Sequence, residues 1–156
     1  HRMAALPGQL AAAQPRRADL DRQHARLEQD RGAADRLTAD AADALAMAKR
    51  LKAARLAFID VVDFVAGNTK ASPNAVFAGS VPYLMLAGNL MAGWQLARAL
   101  LVAQEQLAAG TDATFMQAKI TTARFYADHI LSKVPGMRDS IVDGADSVTA
   151  MPLDVF

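Results

Sequence analysis

Cysteine is absent from the 156 residues, which removes any disulfide framework, any thiolate nucleophile and any zinc–thiolate site. Glycine (9) and proline (6) are scarce, so the chain is neither collagen-like nor a low-complexity linker. An excess of one charge is also missing: 17 Lys and Arg against 16 Asp and Glu leave a net charge of +1. A global basic field for nucleic acid or an anionic membrane surface is therefore excluded. Aromatic residues make up only 6%. What remains in quantity is apolar, 53% of the chain, and alanine leads with 35 residues. Alanine loses no side-chain entropy in a helix and has little to pack on a pleated sheet, so the composition points to helices. The length suits one domain with a sizeable core.

The chain opens His1-Arg2-Met3, which reads either as a few residues ahead of an initiator Met3 or as a piece of a longer protein. Met3–Gln14 is apolar but interrupted by Pro7 and Gly8, with no small-residue cleavage pattern after it. It reads as a frayed helix or fragment edge and not as a signal peptide. Pro15 and Gly32 are expected to bound a first, highly charged helix, Ala18–Arg31, with Asp19 as a cap. Its only large apolar residues, Leu20 and Leu27, stand seven apart. A second helix of roughly thirty residues is expected from Thr38, a candidate cap, to a stop at Gly67-Asn68. Leu37, Leu45, Leu51, Phe58, Val62 and Val65 are its large apolar positions.

No charged residue occurs from Ala71 through Ala97. About twenty such residues could span a bilayer, but Asn74, Ser80, Pro82, Asn89 and Gln95, together with three glycines, favour a helix buried among neighbours. Pro82 is placed in the first turn, after a short turn at Ala75–Gly79, and Gly110 closes the helix. Tyr83, Leu86, Leu90, Trp94 and Leu101 recur at helical spacing and read as a core stripe. Arg98 is expected to need a partner, either Glu105 or a carboxylate on the next helix. Thr111-Asp112 caps a following helix to Lys133, ended by Val134-Pro135-Gly136. A shorter helix follows, from Met137 to about Ala145, and Met151–Phe156 is an apolar tail. Short loops make successive helices antiparallel. The fold expected is all-α, an antiparallel up-and-down bundle of about four main helices with a short C-terminal helix. The organisation expected is an N-terminal helical segment at 1–37, the bundle at 38–150 and the tail at 151–156.

Chemistry-bearing patterns are few. His1, His24 and His129 have no partner at metal-ligand spacing, and the Glu-x-x-His pairs of a di-metal bundle are missing. Asp60 and Asp63 share a helix face and read as solvated. Asp128 and His129 are adjacent, so their side chains diverge by about 100° and do not form a base with its orienter. Gly-x-Ser-x-Gly, Gly-x-Gly-x-x-Gly and P-loop patterns are absent. The small basic clusters Arg16-Arg17 and Lys49-Arg50-x-Lys52 read as solvent faces.

Two runs resemble a known family. Val81-Pro82-Tyr83-Leu84, Gly88, Gly93-Trp94 and Ala97-Arg98-Ala99 form the first. Ala118-Lys119-Ile120-x-x-Ala-Arg124-Phe125-Tyr126-Ala-x-His129 forms the second. Together they are similar to the extra C-terminal helical domain of a subgroup of acyl-CoA dehydrogenases, the 3-methylmercaptopropionyl-CoA dehydrogenase-like enzymes. The resemblance is good over 77–131, weaker back to about Asp40 and negligible before it. It implies a cytoplasmic FAD enzyme in which a Glu removes the α proton of an acyl-CoA and the flavin takes two electrons. The motif around that Glu lies upstream of the appended domain, so no catalytic, cofactor or metal residue is assigned here. The isolated piece is expected to bind no FAD and to catalyse nothing. The partners implied are the rest of the dehydrogenase chain and a second protomer, as a homodimer, with no nucleic acid and no membrane. Tyr83, Leu86, Leu90, Trp94, Arg98, Phe125 and Tyr126 are the expected core and interface residues, with Leu20, Leu27 and the 151–156 tail as further contact surfaces. A free-standing helical interaction module is the alternative.

Overall fold

A computed structural model describes residues 5–150 and Asp154, with side chains from Arg16 onward, Thr149 excepted. The described residues contain helices and turns and no strand. The order is α1 (Ala5–Asn68), α2 (Pro73–Ala78), α3 (Ser80–Ala108), α4 (Ala113–His129), a 3₁₀ turn at Leu131–Lys133, α5 (Val134–Val142) and α6 (Ala145–Thr149). The all-α bundle expected from composition is the fold observed. None of the described helices is long and apolar enough to cross a membrane.

The chain separates into two units, residues 1–41 and 42–156. In the first, every described side chain from Arg16 to Ala39 is exposed, Leu20, Leu27 and Leu37 included. Gly32 does not end a helix as expected; it lies inside α1. A helical glycine costs only about 1 kcal/mol relative to alanine, and termination needs a change of backbone region as well. The positive-φ glycine among the described residues is Gly110, at φ 77°. Asp19 and Thr38 do not cap either. Asp19 pairs with Arg22 at 3.2 Å, and the Thr38 hydroxyl donates to the Ala34 carbonyl at 2.9 Å, the back-bond of a mid-helix threonine.

In the second unit the buried side of α1 is Met47, Ala54, Ala57 and Val61, with Leu51, Phe58, Phe64 and Val65 partly buried against it. Spacings of four and three from 47 to 65 give one continuous seam. Leu45 and Val62, expected inside, are exposed. Two ion pairs set the sense of the helices. Asp43 meets Arg124 and Arg50 meets Asp128, so α1 runs in the same direction as α4, and Asp60 meets Arg138 of α5.

The ends of α3 follow the expectation. Pro82 sits in its first turn, where a missing N–H is least costly. At the other end Gly110 takes the left-handed turn that a side chain disfavours. Asp112 then caps α4 by accepting from the Phe115 amide at 3.3 Å. The stretch Val134-Pro135-Gly136 was expected to end that helix but instead begins α5. Its proline occupies an opening position that lacks an amide partner in any case. The 151–156 tail lies outside the described residues, apart from Asp154.

Candidate functional site

Helix α3, uncharged as far as Ala97, carries two faces of opposite fate. Leu86, Gly93 and Leu100 are buried at intervals of seven, together with Ala103, and Tyr83, Leu90, Leu96, Ala97 and Leu107 are partly buried beside them. Leu131 occupies the space that a side chain at 93 would need, its terminal carbons 2.7–2.8 Å from an ideal Cβ position there. This corrects the expected stripe. It is right at Tyr83, Leu86 and Leu90, then slips by one residue, because a glycine was not read as a core position. Trp94 and Leu101 consequently stand outside, at 47% and 58% exposure.

Two of the named aromatics fasten the inner face. The Phe58 and Tyr83 rings lie 5.9 Å apart, and the Tyr126 hydroxyl donates to the Asn89 carbonyl at 3.3 Å. Burial pushes the Tyr126 hydroxyl above its ordinary pKa, so it stays a neutral donor. Trp94, Arg98 and Phe125 are placed differently. The Arg98 guanidinium lies 5.4 Å over the Trp94 ring and bonds the Gln95 side chain at 3.4 Å. Its partners are on its own helix, not the carboxylate expected. Phe125 is exposed and stacks on His129 at 4.5 Å.

The outer face of α3 leaves large apolar side chains uncovered. Leu84 is 74% exposed, and Val81, Met85, Met91, Trp94, Leu101 and Val102 are also exposed. Phe77 of α2 is exposed as well. Apart from Arg98 and Glu105, this side of α3 therefore presents mainly apolar side chains.

Polar groups in the second unit are spent on tying helices together. Arg124 bridges Asp43 on α1 at 2.8 Å and Asp128 on its own helix at 2.7 Å, with Arg50 4.0 Å from the same Asp128. Hydrogen bonding from Arg124, then the charges of Arg124, Arg50 and His129, holds the Asp128 carboxyl below its usual range. Arg138 is a second junction, reaching Asp143 at 2.6 Å, Asp139 at 3.1 Å and, as an ion pair, Asp60 at 3.3 Å. Asp60 is therefore a link to α5 and not simply a solvated group. The pairings of Asp43 with Arg124 and of Asp60 with Arg138 were not legible in the sequence, because charges 81 and 78 residues apart have no local signature.

These groups offer little to a flavin. The buried side chains among the described residues are all apolar. The tight glycine positions, Gly79, Gly93 and Gly144, are filled by Ile141, Leu131 and the Ser140 backbone, leaving no room for a ligand to approach. The described residues do not fit a dinucleotide, and among them no three His, Asp or Glu converge as metal ligands.

A family described as acetyl-CoA dehydrogenase C-terminal like matches residues 11–152, reaching well before Asp40, where the resemblance fades to the eye. Among curated proteins, 3-methylmercaptopropionyl-CoA dehydrogenase of Ruegeria pomeroyi is 42% identical over 117 residues, covering 75% of this chain and 20% of that protein. The chain thus spans about a fifth of the length of that relative. No solved structure matches. With nearly its whole length inside the family match, the chain belongs to the acetyl-CoA dehydrogenase C-terminal-like family.

Proposed function

We propose that this chain is the non-catalytic C-terminal domain of an acyl-CoA dehydrogenase subunit, acting by packing against the catalytic part and by joining subunits. The observation that carries this is the division of α3. Its inner face is filled by the domain's own helices, while its outer face is largely apolar, uncharged as far as Ala97, and bare. Dehydrogenation of an acyl-CoA to the 2-enoyl-CoA, with FAD as electron acceptor, would then belong to residues outside this chain. The cytoplasmic, homodimeric enzyme implied by the resemblance fits this division of labour. The ion junctions at Arg124 and Arg138 serve a structural role, fixing α1 against α4 and α5 so that α3 is presented in one orientation.

The test is direct titration of the purified chain with FAD, followed by flavin fluorescence and calorimetry, alongside a dehydrogenase assay with acyl-CoA and an electron-accepting dye. Neither binding nor turnover is expected. Stoichiometric flavin, or dye reduction dependent on acyl-CoA, would overturn the reading.

A further inference from the structure

The outer face of α3 is not uniform. Its first half, from Val81 to Met91, carries no charge. Its second half holds Arg98, Leu101, Val102 and Glu105, all exposed, at positions i, i+3, i+4 and i+7 of one helix. This spacing places the four on a single side, with a cation at one end, an anion at the other and two apolar residues between them. At 1.5 Å per residue the two charges are separated by about 10 Å along the axis, too far to pair well within one helix. Glu105 makes no ion pair among the described residues, and Arg98 bonds Gln95 and lies over Trp94 on its own helix.

Such an order is self-complementary under a two-fold rotation. We propose that the second half of α3 packs antiparallel on the same segment of a second copy, with the axis between Leu101 and Val102. Arg98 then meets Glu105 of the partner subunit, and the reverse pair forms on the other side of the axis. Leu101 lies against Val102 of the partner subunit and the reverse contact forms across the axis, and Trp94 falls opposite Ala109 of the partner subunit, a small residue that leaves space for the indole ring. An isologous contact needs each half-site to complement itself, and charge order gives that here without any group outside α3. This assignment rests on the reading of the domain as a subunit contact and names the residues that form it.

Charge reversal with rescue tests the pairing, since Arg98 and Glu105 are exposed and their replacement leaves the core untouched. Sedimentation equilibrium of the 156-residue chain is expected to give a mass approaching twice the 16.6 kDa protomer as concentration rises. Arg98→Glu and Glu105→Arg, each placing like charges in contact twice, are each expected to weaken association about tenfold or more. The double variant, with the order reversed on both copies, is expected to regain most of it. A wild-type chain monomeric at all concentrations, single variants that associate as before, or a double variant no better than the singles would overturn the proposal. If Arg98→Glu instead weakens binding to the catalytic part and leaves self-association intact, the occupant is that part and the two-fold contact is excluded. Failure of the rescue with Leu84→Glu still releasing the domain from the catalytic part removes this contact only, not the structural role.

Discussion

Leu131 fills the place of the side chain that Gly93 lacks, its terminal carbons 2.7–2.8 Å from where a Cβ would stand. Leu131 is 1% exposed, so it has little freedom to retreat. Gly93→Ala is therefore expected to destabilise, the overpacking cost of about 1–3 kcal/mol exceeding the roughly 1 kcal/mol that alanine returns in a helix. Gly88, on the same helix with nothing near its Cβ position, is the contrast: Gly88→Ala is expected to stabilise by about 1 kcal/mol. Urea unfolding of the two variants gives the comparison. The sign at 93 is expected to reverse in a Leu131→Ala background.

Leu86 and Leu84 lie two residues apart on α3 and should respond oppositely. Leu86 is fully buried, and Leu86→Ala is expected to cost about 2–5 kcal/mol. Leu84 points outward, so Leu84→Ser is expected to change stability by less than about 0.5 kcal/mol. Denaturant midpoints read both.

Asp128 should make stability depend on pH. Its carboxyl is held below the ordinary range first by the Arg124 hydrogen bond, then by the charges of Arg124, Arg50 and His129. A folded-state pKa below the unfolded one gives stabilisation that is complete above the unfolded value, near 4, and is lost as pH falls through the folded value. The melting temperature of the native chain is expected to exceed that of Asp128→Asn at pH 7, and the gap is expected to narrow progressively as pH falls below about 4.

Trp94 is the sole tryptophan and is half exposed. In dilute solution its emission is expected to be quenched readily by acrylamide. At concentrations where the chain pairs through α3, the emission is expected to shift to the blue and quenching to fall, a change absent in Arg98→Glu. Quenching that is already weak in the dilute monomer would contradict the exposed placement.

Much of the bundle was legible because the signals are local. Pro82, Gly110 and Asp112 act within a turn of where they stand, and each does in the structure what its chemistry dictates. Gly32 misled because a glycine in a helix is only a modest penalty, and helical sequence on both sides of it outweighs that penalty. The core register was read as far as Leu90 and then lost, since Gly93 is an inward position with no apolar side chain to announce it. Trp94, one residue on, looked like the better core residue by size alone. The Asp43–Arg124 and Asp60–Arg138 links were not legible, because which charges meet is decided by how helices distant in sequence lie together. The exposed apolar side of α3 was half legible. An uncharged stretch from Ala71 to Ala97 marks burial, but only packing divides it into a side covered by this chain and a side left exposed.

The division of α3 into a covered and a bare face is tested most directly by mixing the chain with the catalytic portion of the proposed dehydrogenase, expressed without this domain, and measuring association by sedimentation. The native chain is expected to bind. Leu84→Glu is expected to unfold at an unchanged denaturant concentration and to bind at least tenfold more weakly. A Leu84→Glu chain that binds as well as the native one would show that this face meets nothing and would contradict the account.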